Sequence, residues 1–236
     1  TPPVPVPATT TVPATAPTVQ VFQSQSSNWS GYAAVGGPYK VAKGTLTVPS
    51  SVSGASGRRG AQVSEWVGLD GLSSADPSLI QAGVDEFPDP AKPSGFDIQP
   101  WWEILPATET NITTVSVAAG DKVTVTIWQV SGTSWEINLT DDTNGQSYTT
   151  PPQRYTGLGS SAEWVVEATT ECQFRCQTAQ LAPYGPPVVF SGLGMTGPQA
   201  TSLEEITMVQ GAQDVSTPSQ LGSGGFTVTY TGASSS

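Results

Sequence analysis

Residues 122–128 read Lys-Val-Thr-Val-Thr-Ile-Trp. Side chains of an extended strand point alternately to its two faces, so Val123, Val125 and Ile127 share one face and Lys122, Thr124 and Thr126 the other. That is the signature of a half-buried strand, with the Val/Ile face toward a core. Downstream, Asp142-Thr-Asn-Gly145 separates two further strand-like runs, and Asn-Gly accepts the positive φ angles of a hairpin turn. Similar short runs recur from Trp29 to Tyr230 between Gly, Pro, Asn and Ser clusters, while apolar residues at helical spacing are scarce and prolines interrupt most candidate helices. The pattern predicts an all-β fold, a sandwich of many short strands.

The chain has 236 residues, with 25 Gly, 21 Pro and 11% charged residues. Residues 1–26 are dominated by Thr, Pro, Val and Ala at the start and are expected to be an extended linker or the remnant of a pro-segment; residues 27–236 are expected to form one folded body. Eight Lys and Arg stand against 19 Asp and Glu, for a net charge of -11 at pH 7. Such a surface repels phosphate backbones and anionic lipid, so neither nucleic acid nor membrane is an expected partner. The charge balance also suits an acidic medium, because protonating carboxyls brings the net charge toward zero. Cys172 and Cys176 are the two cysteines and histidine is absent. Soft-ligand metal binding therefore has too few donors, and a local disulfide in an exported, monomeric protein is favoured over two free thiols. No metal or other cofactor is expected.

Without histidine, the Ser-His and Cys-His catalytic triads are excluded, as are most zinc hydrolase arrangements. Carboxylates and amides remain. In Ala162-Glu-Trp-Val-Val-Glu-Ala168, a strand places Glu163, Val165 and Glu167 on one face. An isolated pair of this kind is usually a solvent-facing strand edge, but on a cleft wall desolvation would raise at least one carboxyl pKa. In Ser78-Leu-Ile-Gln-Ala-Gly-Val-Asp85, Gln81 and Asp85 likewise share a face, and an amide donates to a developing oxyanion at any pH. Trp101 and Glu103 of Pro100-Trp-Trp-Glu-Ile-Leu-Pro106 are co-facial. With Trp66 in Glu65-Trp-Val-Gly-Leu-Asp-Gly71 and Trp29 in Ser27-Asn-Trp-Ser-Gly31, they suggest an aromatic-walled groove dotted with acids.

Taken together and in their order along the chain from residue 27 to 167, these five segments resemble the glutamic peptidases, or eqolisins. The resemblance implies two packed, curved antiparallel sheets of the concanavalin-like or jelly-roll type, with the active site on the concave face. It implies an acid-active, secreted endopeptidase acting on protein or peptide substrates, with Gln81 and Glu167 as catalytic residues and Glu163 as a neighbour of the base. Trp29, Trp66, Asp70, Asp85, Trp101 and Glu103 match positions that line or support the substrate cleft. Glu167 would activate a water and Gln81 would stabilise the tetrahedral intermediate. Two other readings fit a groove of Trp and Glu residues: a β-sandwich glycoside hydrolase and a carbohydrate-binding module. Neither needs an amide partnered with a carboxylate.

Overall fold

A computed structural model describes residues 10–11, 19–56, 60–73, 76–172 and 176–232. Among them no helix occurs, and the thirteen longest strands build the molecule. They are β1 (Gln20–Ser26), β2 (Trp29–Val35), β3 (Val41–Thr47), β4 (Val63–Asp70), β5 (Leu79–Pro88), β6 (Phe96–Ile104), β7 (Lys122–Ser131), β8 (Ser134–Asp141), β9 (Ser161–Glu167), β10 (Val188–Thr196), β11 (Ser202–Gln210), β12 (Gln213–Pro218) and β13 (Phe226–Tyr230).

Two layers follow from the pairing. The first runs β6-β5-β4-β9-β2-β11-β1, antiparallel except for the parallel β11–β1 pair. The second runs β8-β7-β3-β10-β13-β12 and is antiparallel throughout. The end of β11 also pairs with β12, which joins the layers along one side. The result is the expected β-sandwich.

The opening alternation sits at the heart of the second layer. Val123, Val125 and Ile127 are fully buried, pairing with Leu46, Gly44 and Ala42 of β3 on one side and with Asp141, Leu139 and Ile137 of β8 on the other. They meet the inward faces of the first layer, which supply Val63, Val67, Leu69, Ile80, Ala82, Val84, Trp164 and Val166 to the same core. Burying such side chains contributes roughly 1.5–3 kcal/mol each, which is what holds the layers face to face. The Asn-Gly turn is also as expected: Gly145 has φ +78°, its N–H donates to the Asp141 carbonyl at 2.8 Å, and Ser147–Thr149 pairs back on β8.

Paired structure begins N-terminal to the expected boundary at Ser27. Residues 20–26, read from sequence as linker, form β1 on the edge of the first layer, and Thr10–Thr11 pairs with Met195 and Gly194 of β10. The stretch has no charge and few β-branched residues, so its strand character comes from the β11 edge it joins. The backbones of Cys172 and Cys176 face each other in a two-stranded hairpin, but the expected disulfide depends on side chains outside the described residues.

Candidate active site

The outward face of the first layer carries the chemistry, because strict alternation in β5, β4 and β9 lifts every second side chain away from the core. Three cross-strand rows result. In one, Glu163, Gly68, Gln81 and Glu103 stand side by side on β9, β4, β5 and β6. The next holds Val165, Trp66, Gly83 and Trp101, and the third Trp29, Glu167, Ser64 and Asp85. Gln81 and Glu167 thus flank β4 from opposite sides, one row either side of Trp66.

Trp66, Leu79, Trp101 and Val165 are buried in a second apolar cluster that floors the cleft, with Trp29 packed on it edge-to-face against Trp66 at 4.9 Å between ring centroids. Gly83 makes this floor possible: a Cβ there would run into the Glu65 carbonyl oxygen and the Trp66 side chain. Above the floor opens a cleft of about 890 Å³ lined by Gln81, Glu167, Asp85, Glu103, Trp29 and Trp101, among others. No Lys or Arg lines it among the described residues.

Glu167 is held by two nitrogen donors. Trp66 Nε1–H donates to Oε2 at 2.8 Å and Asn28 Nδ2–H to Oε1 at 2.9 Å. Burial pushes the Glu167 carboxyl up to about 7, and the two donors work against that rise. Gln81 is 5% exposed and its Nε2–H donates to Glu103 Oε2 at 2.8 Å, while Oε1 has no partner. One amide hydrogen and the amide oxygen therefore remain for a ligand. Burial raises Glu103, with the Gln81 bond opposing it. Asp85 is raised well above the usual range by burial and then by the carboxyl of Glu109; Glu109 is an exposed residue whose carboxyl end is raised by the desolvation it meets against Asp85. The cleft therefore retains protons in acid at positions that would otherwise be mutually repelling charges.

The expected residues are not all brought together. Gln81, Glu167, Trp29, Asp85, Trp101 and Glu103 reach the cleft, and Trp66 lies directly beneath it. Asp70 does not reach it. This residue ends β4 in the left-handed region with φ +69°, and its carboxylate accepts from Tyr155 Oη at 2.6 Å, Gly159 N at 2.8 Å and Ser160 N at 2.6 Å. It fastens a loop to the sheet, so its part in the cleft is support. Glu163 is fully buried in the row of Gln81 but does not line the cleft. Glu65, beside Trp66 in sequence, faces the opposite way into the core. The sequence pattern marks neither Glu109 nor Asn28; for Asn28 its neighbour Trp29 was the available signal.

Fold and site together set carboxyl and amide groups over an open cleft on the outward face of a sheet. Residues 27–230 match the Peptidase A4 family, and the chain belongs to that family, the eqolisins; it is a glutamic endopeptidase. It is 26% identical over 191 residues to scytalidopepsin B of Scytalidium lignicola, covering 78% of this chain and 69% of that protein. Identity to aspergillopepsin-2 of Aspergillus niger is 26% over 231 residues, covering 89% and 78% respectively. Scytalido-glutamic peptidase, solved with a transition state analog inhibitor, superposes with a TM-score of 0.75 at 23% identity over 86% of this chain and 98% of that one. Aspergilloglutamic peptidase from Aspergillus niger gives a TM-score of 0.58 at 24% identity over 72% and 99%.

Proposed function

We propose that the chain is an acid-active endopeptidase, secreted and monomeric, in which Glu167 and Gln81 perform the chemistry on protein or peptide substrates. The observation that carries this reading is the pairing of a doubly hydrogen-bonded carboxyl with an amide whose oxygen is buried and unpartnered, across one strand of an open cleft.

In the mechanism, a water sits between the two groups, one hydrogen directed at Glu167 and the other at Gln81 Oε1. Ionised Glu167 takes a proton as the water oxygen bonds to the scissile carbonyl carbon. The remaining Gln81 N–H donates to the tetrahedral oxyanion, a contribution of roughly 3–4 kcal/mol for a single such donor. Collapse breaks the C–N bond while Glu167 returns the proton to the departing amine, leaving a carboxylic acid and an amine. Glu103 fixes which way the amide points. Asp85 and Glu109 keep their protons because a first charge is better accommodated on Glu167, which alone among them has two N–H donors; that charge in turn raises Asp85. With its carboxyl raised to about 7 in the empty cleft, Glu167 is ionised in only a small fraction of molecules at about pH 4, and the reaction draws on that fraction. Activity falls in stronger acid as the fraction shrinks, and falls toward alkali as the remaining carboxyls ionise.

Incubating the protein at about pH 4, where ordinary carboxyls titrate, with denatured casein and separately with β-glucan tests this reading. Casein fragments, produced without inhibition by pepstatin, are expected. Release of sugars with intact casein would favour the glycosidase alternative instead.

A further inference from the structure

The strand β1 lies outside residues 27–230, the part that matches the family, yet it extends the catalytic sheet by one strand. Its register with β11 sets Phe22 beside Glu204 and Ser24 beside Ile206, and β11 in turn sets Glu204 beside Ala33 and Ile206 beside Gly31 of β2. The row of Glu103, Gln81 and Glu163 therefore continues through Ala33 and Glu204 to Phe22, all on the outward face. Ser24, Ser26 and Glu204 line the far end of the cleft. Phe22 is a large aromatic that is 44% exposed, on the side where alternation would place a polar residue.

We infer that Phe22 and Glu204 form an end subsite of the catalytic cleft that takes a long basic side chain, Arg or Lys, of a peptide substrate. The aliphatic stem of such a residue packs on the Phe22 ring and its cation meets the Glu204 carboxylate. Charge favours this occupant, since Glu167 and Glu204 line the cleft on this side of Gln81 and the cleft holds no cation among the described residues. Distance sets the position. The scissile bond lies over β4, four strands from β1; at ~4.8 Å per strand this is ~19 Å, and an extended peptide crossing the strands covers it in about six residues. The subsite rests on the peptidase reading above and deepens it, since a substrate must already be threaded through the cleft to reach it.

The test uses a short core peptide with three residues on each side of the scissile bond, and longer versions extended on the N-terminal or the C-terminal side with Arg, Ser or Glu five to six residues from that bond. With the unmodified protein, kcat/KM in one of the two series is expected to be about fivefold higher for Arg than for Ser, and lowest for Glu. Phe22→Ser and Glu204→Gln should each bring the Arg-to-Ser ratio to about one, with the short core cleaved as before. A ratio near one in both series, a ratio that survives both substitutions, or an equal loss on the short core would overturn the subsite. The catalytic reading is judged separately: Gln81→Ala cleaving the short core at a near-normal rate would sink that reading, whatever the Arg preference.

Discussion

Glu167 illustrates how a carboxyl is tuned by neighbours that are individually ordinary. Burial raises its pKa to about 7, and N–H bonds from Asn28 and Trp66 pull it back by favouring the ionised form. Removing a donor must push the pKa further up, so Asn28→Ala should move the acid limb of the kcat/KM profile about one pH unit higher, a shift read from initial rates between pH 3 and 9. In the proposed mechanism Glu103 acts through Gln81, whose amide it holds by a hydrogen bond. Glu103→Leu frees the amide to rotate and is expected to lower kcat by at least about tenfold with little change in KM, whereas Glu103→Gln, which still offers an oxygen acceptor, should recover part of the loss. Equal losses in both variants would show that Glu103 does not orient the amide. At this scale the alternation of Gln81 with Asp85, and of Trp101 with Glu103, was legible because a strand's side-chain period is fixed. Glu65 was readable from the same rule, since its odd spacing from Trp66 turns it inward. Asn28 and Glu109 were not, because they enter from a loop and an irregular segment whose paths no local pattern sets.

At the scale of elements, β4 and β5 are pressed together where the cleft has its aromatic floor. Gly83 sits between Trp66 and Trp101 with no room for a Cβ. Gly83→Ala should therefore cost about 3 kcal/mol or more, seen as a lower midpoint in denaturant, because the obstruction is backbone in a central strand and cannot move aside. A midpoint within error of the parent would contradict this packing. Several strands were readable from their alternation: Trp29–Val35, Ser134–Asp141 and Phe226–Tyr230 begin and end where their sequence pattern does. β1 and β12 were not, since Gln20-Val-Phe-Gln-Ser-Gln-Ser26 and Gln213-Asp-Val-Ser-Thr-Pro218 are too polar to announce a strand and are organised by the edges they join.

Across the whole molecule, acids lie inside the sandwich as well as on its surface. Glu65 and Glu86 share the inward face of β4 and β5 and are fully buried, and apart from each other's carboxyl proton neither has a donor among the described residues. Burial pushes Glu65 up to about 8 and both Glu86 and Glu163 well above the usual carboxyl range. Groups whose folded pKa is raised contribute stability that is fully present below the unfolded pKa of about 4.3, and it is lost as pH rises through the folded values. The melting temperature should accordingly be higher at about pH 4 than at about pH 8. Replacing the pair by Glu65→Gln with Glu86→Gln should flatten that decline, while an unchanged slope would place the loss elsewhere. This acid preference was foreshadowed by the net charge of -11, but the composition could not show which acids are inside.

The proposed chemistry rests on Gln81 and Glu167, and the most direct test is their removal one at a time. At saturating peptide and at the pH of maximal rate, Gln81→Ala is expected to lower kcat about 100- to 1,000-fold and Glu167→Gln by about 1,000-fold or more, each with the melting temperature of the parent. Near-normal turnover in either folded variant would contradict the account.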